Sequence, residues 1–287
     1  MKHTWIVTCS LLVLFFCAQL VGLQITASYI DRAASEEKGE IVWKDLPAVA
    51  GMKIKRPDVE PQFSIWYIVG AVLIGTLLIL LIIKLGKVLL WKLWFFFAVV
   101  LCLQIALAVF IPALYSFILA LVLGFFKIFR PNIYIHNATE LLLYGGLAAI
   151  FVPILNVFYS FILLLALSIY DMYAVWRSRH MIKMAKFQTK SGIFAGLLLP
   201  YRVPKARGVK KQVRTAVLGG GDIGFPLIFA GTVLVASGFL NAFVVSLGAT
   251  AALFILLLLS QRDKFYPAMP FLTAGCAFGY VITLLLL

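Results

Sequence analysis

Acidic residues are scarce in this chain of 287 residues: eleven Asp and Glu stand against twenty-five Lys and Arg, and charged residues of both signs make up only 13%. Ordinary soluble domains carry about 25% charge, so a surface built for water is excluded. Histidine occurs three times, and the four cysteines, Cys9, Cys17, Cys102 and Cys276, share no paired spacing. That pattern argues against a disulfide framework and a zinc site, and nothing in it asks for a metal or a cofactor. Neither H-E-x-x-H nor G-x-S-x-G is present, which removes the zinc-peptidase and serine-hydrolase signatures. Internal repeats of fixed period and low-complexity linkers are also missing, so a single domain over residues 1–287 is the economical organisation.

What is there is apolar. Hydrophobic residues make up 63% of the chain, and the mean hydropathy is +1.06. A membrane-spanning helix needs about 20 mostly apolar residues, and the chain has room for nine such spans, near 4–27, 63–83, 88–107, 110–127, 138–155, 157–177, 215–235, 238–260 and 266–287. The run over 88–127 is too long for one span and divides near Pro112; the fifth and sixth spans divide between Pro153 and Asn156. The first span also has features of a signal peptide, since Lys2 and His3 precede it and "ITAS" offers small residues for cleavage. Its apolar stretch is long for that role. The expectation is an all-α polytopic membrane protein with nine transmembrane helices.

The net charge of +14 raises the prospect of nucleic acid, but its distribution argues for topology instead. Eleven Lys or Arg and no acid lie between Arg177 and Arg214, and the other basic loops share the same parity. By the positive-inside rule these loops, including the basic loop over about 178–214, are cytoplasmic, with the N-terminus inside and the C-terminus outside. The segment from Asp31 to Glu60 holds seven acids and six bases, as an outer loop does. Trp5, Trp66, Trp91, Trp94 and Trp176 fall near span ends, where aromatic belts form. The partner so implied is the lipid bilayer, not nucleic acid.

Three acids remain in or near the apolar spans: Glu140, Asp171 and Asp222. Glu140 reads as structural, the third helical residue of a capping box opened by Asn137. Asp171 sits about six residues before the inner end of span 6, hence about 9 Å deep, and Asp222 about seven residues into span 7, about 10 Å deep. Antiparallel neighbours would bring these two carboxyls to one level. Each costs about 2.5–3.5 kcal/mol to insert, so an intramembrane acid is a functional candidate by default. A helix-to-helix hydrogen bond is the bland alternative.

Two carboxyls at one level suggest a shared water, with one acting as acid and the other as base. The glycines before Asp222, Gly219, Gly220 and Gly221, would then keep side chains away from a substrate backbone within a locally unwound segment. Pro226 fits the first turn of the helix that resumes beyond them. Just upstream, Val213, Thr215 and Val217 alternate in a β-branched pattern, so residues 213–218 are expected to hold a strand, or adopt one on binding, to which an unwound substrate adds. The inner end of a helix fits the same residues. Val217 and Leu218 are thus candidate substrate contacts.

Tyr170 and Asp171 in "YD", Gly219 to Asp222 in "GGGD", and Pro267, Ala268, Met269 and Pro270 in "PAMP" resemble, in order and placement, three signatures of the presenilin and signal peptide peptidase family of GxGD-type intramembrane aspartyl proteases. The resemblance covers the whole chain, and the compact size looks like a microbial member. It implies a presenilin-like fold of nine helices, cleavage of transmembrane helical substrates, and Asp171 with Asp222 as the catalytic pair. It also implies that Tyr170 and the Pro-Ala-Met segment shape the site, where Met269 departs from the family's leucine. The inferred orientation looks like presenilin rather than signal peptide peptidase. A homo-oligomer is allowed by the sequence. Two other readings use the same residues: a prepilin or preflagellin peptidase, and a cation channel or transporter binding ions at the aspartates.

Overall fold

The computed structural model describes residues 4–48, 53–177, 193–203, 212–261 and 266–286. Apolar helices follow one another along the chain: α1 (Trp5–Ser28), a short α2 (Arg32–Lys38), α3 (Pro61–Leu85), α4 (Val88–Leu107), α5 (Ala113–Phe129), α6 (Ile133–Phe151) and α7 (Val157–Met172). A two-stranded antiparallel sheet, β1 (Gly196–Val203) and β2 (Gln212–Gly219), precedes α8 (Gly220–Ser237), α9 (Phe239–Leu259) and α10 (Met269–Leu286). Seven of these helices, some lengthened by adjoining turns, are long and apolar enough to cross a membrane, and two shorter apolar ones, Ala113–Phe129 and Met269–Leu285, accompany them.

The main core gathers Leu11, Phe15, Ala18 and Leu23 of α1 into one buried cluster with Ala148 of α6, Leu164 of α7, Leu227 of α8 and Val245 of α9. A second cluster joins α4 to α5 through Trp91, Val99, Leu103, Ala120 and Ile128. By contrast α3 lies at the periphery, with only 11% of its apolar window buried. The outer segment after α1 is tied down by Arg56, whose guanidinium stands over the rings of Tyr29 and Trp43, 5.7 and 5.6 Å from their centroids. Arg56 also donates to the carbonyls of Lys44 (2.8 Å) and Ala149 (3.1 Å). Burial pushes the Tyr29 phenol up to about 12, and its hydroxyl donates to the Ile105 carbonyl at 2.7 Å.

Several expectations are corrected. The fifth span opens at Ile133, because the Asn132 side chain accepts the Tyr134 N–H at 2.9 Å and caps the helix there. Asn137 and Glu140 therefore lie inside α6, and no capping box forms between them. The seventh span begins with strand β2: the β-branched alternation pairs with β1 in the register Val217↔Leu198 and Thr215↔Pro200, and helix starts only at Gly220. The strand expected over 213–218 is thus present, as part of β2. Gly220 and Gly221 are helical rather than unwound, and Pro226 lies within α8 rather than in its first turn. Asp222 lies in the opening turn of its helix rather than about seven residues into it. The divisions near Pro112 and at Pro153 to Asn156 match the structure, the latter as a single 3₁₀ turn over Val152–Ile154.

Candidate active site

Asp171 is the next-to-last residue of α7, which Asn156 opens by accepting the Tyr159 N–H at 2.8 Å. The residue is 4% exposed. Its Oδ2 accepts the backbone N–H of Met269 at 3.1 Å, and the Ala268 amide also bonds to the carboxyl. Among the described residues Oδ1 has no hydrogen-bond partner. The donors come from the opening of α10, whose first N–H groups have no partner within the helix. Pro270, second in that helix, has no N–H to leave unsatisfied. The Pro-Ala-Met segment therefore supplies donors to Asp171, whereas the prolines by themselves would only withhold them.

Asp222 stands third in α8, after Gly219 at the N-cap with extended backbone (φ −64°, ψ 145°). Its carboxyl reaches back toward the Gly219 amide, the reciprocal half of a helix cap. Pro226 follows four residues later and lacks the N–H that would have bonded the Asp222 carbonyl. One residue on, the Ile223 carbonyl accepts from Nε2 of Gln19, a fully buried residue of α1, at 3.0 Å. The carboxyls of Asp171 and Asp222 lie within electrostatic reach of each other. Near Asp171, Ser168 joins α7 to Thr273 of α10 (2.8 Å), and toward the far end of α7 Ser160 joins Thr232 of α8 (2.8 Å).

The three glycines differ in what surrounds them. A Cβ on Gly219 would stand 3.0 Å from Oδ2 of Asp222, and one on Gly220 would stand 2.9 Å from the Tyr144 hydroxyl. Only Gly221 is exposed, with nothing closer than the Phe225 ring at 3.6 Å. Tyr170 turns its hydroxyl to Oγ1 of Thr76 on α3, at 3.3 Å. Pro267 and Met269 are buried, and Ala268 is half-buried.

The β1–β2 hairpin ends on the site, and its two edges are unlike. On the β1 edge, Asn137 of α6 bonds both backbone groups of Leu198, donating to its carbonyl (2.7 Å) and accepting its N–H (3.0 Å). His136 Nε2 donates to the Gly196 carbonyl at 2.7 Å. Since Leu198 faces away from β2, its cross-strand partner Val217 is in a non-hydrogen-bonded pair and turns its own N–H and C=O to the opposite edge. Val217 is 44% exposed and Leu218 buried, so one side chain of the pair faces outward and the other inward. Gly196 needs its φ of +141°, and a Cβ there would stand 2.1 Å from the Leu218 carbonyl.

A buried polar cluster beside the hairpin was not foreseen from the sequence. Lys127 of α5 and Glu140 of α6 are each about 1% exposed and pair at 2.6 Å, and Tyr144 donates its hydroxyl to the other Glu140 oxygen. Lys127 also donates to Thr139 Oγ1 at 3.2 Å. The available signal was the spacing of His136, Glu140 and Tyr144 on one helical face, four residues apart, together with a lysine inside an apolar span.

A family model described as signal-peptide peptidase, presenilin aspartyl protease matches residues 48–287. The fold is similar to two solved structures of a presenilin family intramembrane aspartate protease. The one in space group C222 has a TM-score of 0.65 at 17% identity, over 98% of this chain and 99% of that one. The one in space group P2 has a TM-score of 0.64 at 18% identity, over 97% of each chain. No curated protein matches the sequence.

Proposed function

Because this chain belongs to the signal-peptide peptidase, presenilin aspartyl protease family and is an intramembrane aspartyl protease, we propose that Asp171 and Asp222 are its catalytic pair. The observation that carries the reading is the half-satisfied carboxyl of Asp171. The Met269 amide of α10, with that of Ala268 just before it, bonds the carboxyl, while among the described residues Oδ1 is buried with no hydrogen-bond partner, within electrostatic reach of the Asp222 carboxyl. Burying a polar atom without a partner costs free energy, and a water held between the two carboxyls would recover it.

The chemistry follows from such a water. One carboxylate takes a proton from it as its oxygen attacks the scissile carbonyl carbon, and the other carboxyl donates a proton to the carbonyl oxygen. The tetrahedral diol then collapses as the peptide nitrogen is protonated and the C–N bond breaks. A helical substrate must first be unwound, and its freed backbone groups need partners in a dry setting. The outward N–H and C=O of Val217 supply them at the β2 edge, with Leu218 and exposed Gly221 next to Asp222. Tyr170, Gly219, Gly220, Pro267, Ala268 and Met269 complete the site, by holding the two acids more than by touching substrate.

All nine apolar helices cross the bilayer in this reading, as a single protease domain. The 17 residues of α5 make about 25 Å, short of a hydrocarbon core of about 30 Å by an amount that local thinning accommodates. The N-terminus and the 178–214 loop are cytoplasmic and the C-terminus is outside. A cysteine at Thr189, which lies outside the described residues, should react with an impermeant maleimide only after the membrane is opened; labelling in intact cells would reverse the orientation. The catalytic reading is tested by incubating purified protein in detergent with a transmembrane peptide and weighing the fragments. Wild-type protein should yield complementary fragments, and folded Asp171→Asn and Asp222→Asn proteins should each show no detectable cleavage.

A further inference from the structure

The Lys127–Glu140–Tyr144 chain lies outside the acid pair yet ends against it. Tyr144 is 4% exposed, and its hydroxyl donates to Glu140, which in turn is held by Lys127 at 2.6 Å. With its only proton committed to Glu140, the phenolic oxygen is fixed at the far side, where it bears on Gly220. The 2.9 Å to a hypothetical Cβ means that no side chain fits between this oxygen and the turn. Gly220 is also held by its N–H, which donates to the Ala195 carbonyl at 3.0 Å. Tyr144 lies within electrostatic reach of Asp222 itself. The same face of α6 holds β1 through His136 and Asn137, so one helix grips both the hairpin and the turn that carries Asp222.

We propose that Tyr144 is a positioning residue for the reaction: Glu140 takes its proton and so sets its oxygen against Gly220, which fixes where the Asp222 carboxyl stands. This rests on Asp222 being one of the catalytic pair. The ion pair with Lys127 then has a specific task. It keeps Glu140 in place, and what matters to Tyr144 is the acceptor oxygen that Glu140 presents, not its charge. A misplacement of about 1 Å at a reacting group costs on the order of 10²-fold in rate, so a small slip of this turn is enough to be measured.

The test measures kcat and KM for a transmembrane peptide in detergent, with thermal unfolding of each protein alongside. Tyr144→Phe removes only the oxygen, and should lower kcat at least about tenfold with KM within about twofold and the unfolding midpoint nearly unchanged. Two charge-neutral double variants separate positioning from simple bracing. Lys127→Met with Glu140→Gln keeps an acceptor for Tyr144 and should retain at least about a third of wild-type turnover, whereas Lys127→Met with Glu140→Leu removes the acceptor and should behave like Tyr144→Phe. The proposal is overturned if Tyr144→Phe turns over within about twofold of wild type, if its loss appears in KM or is matched by unfolding, or if the two doubles behave alike. Asp171→Asn and Asp222→Asn are assayed in the same series. Turnover in either would sink the catalytic pair itself, an outcome distinct from a failure of the Tyr144 arm.

Discussion

Glu140 and Asp171 are both acids buried in apolar helices, one 1% and the other 4% exposed, and they are treated in opposite ways. Glu140 has a lysine on one oxygen and a tyrosine hydroxyl on the other, so its charge is neutralised and its acceptors are filled. Asp171 receives backbone amides on one side and has an oxygen without a protein partner on the other, and no base pairs with it among the described residues. The difference separates an acid that braces a fold from one that keeps room for chemistry. It also explains why burial alone is a poor guide to function in this chain: both acids are hidden, and only their partners tell them apart.

The comparison can be broken first at the saturated acid. Glu140→Leu alone would leave the Lys127 ammonium buried and unpaired, and should destabilise the protein by about 3–5 kcal/mol in detergent unfolding. At the unsaturated acid the sensitive atoms are donors instead. Met269→Pro would delete the N–H that Asp171 accepts, at the first position of α10, where a helix tolerates proline, so cleavage should fall on the order of 10²-fold while the unpaired carboxyl oxygen costs about 1–3 kcal/mol of stability.

Further out, Val217→Pro removes one outward N–H from the β2 edge without touching either aspartate. Turnover should fall about tenfold while binding of a transition-state-like inhibitor is kept, and wild-type cleavage would show that this edge does not pair with the substrate. The smallest effect sharpens the comparison. Met269→Leu keeps the amide and conserves the apolar volume, and should turn over within about twofold of wild type.

The contrast between the two acids was only half legible in the sequence. Asp171 and Asp222 stood out because acids are so rare in apolar spans, and the strand over 213–218 because β-branched residues alternated there. Glu140 was misread, since Asn137 and Glu140 have a capping-box spacing and only the earlier cap by Asn132 turns them into mid-helix residues. Its partner Lys127 belongs to the preceding helix, and a contact between two helices leaves no local pattern. The same limit hid β1: "GLLLPYRV" is short, apolar and set in a basic loop, and its register is fixed by Asn137 sixty-one residues earlier. Helix boundaries fared better at Pro112 and Asn156, where the expected divisions match.

The most direct test sets the two kinds of buried acid side by side. Turnover of one transmembrane peptide is measured for Asp171→Asn, Asp222→Asn and the charge-neutral Lys127→Met with Glu140→Gln, all shown to be folded. The account predicts no detectable cleavage by either aspartate variant and at least about a third of wild-type turnover by the double variant, in which two buried charges are gone but every hydrogen-bond acceptor for Tyr144 is kept. Cleavage by either asparagine variant, or its loss in the double variant alone, would contradict the account.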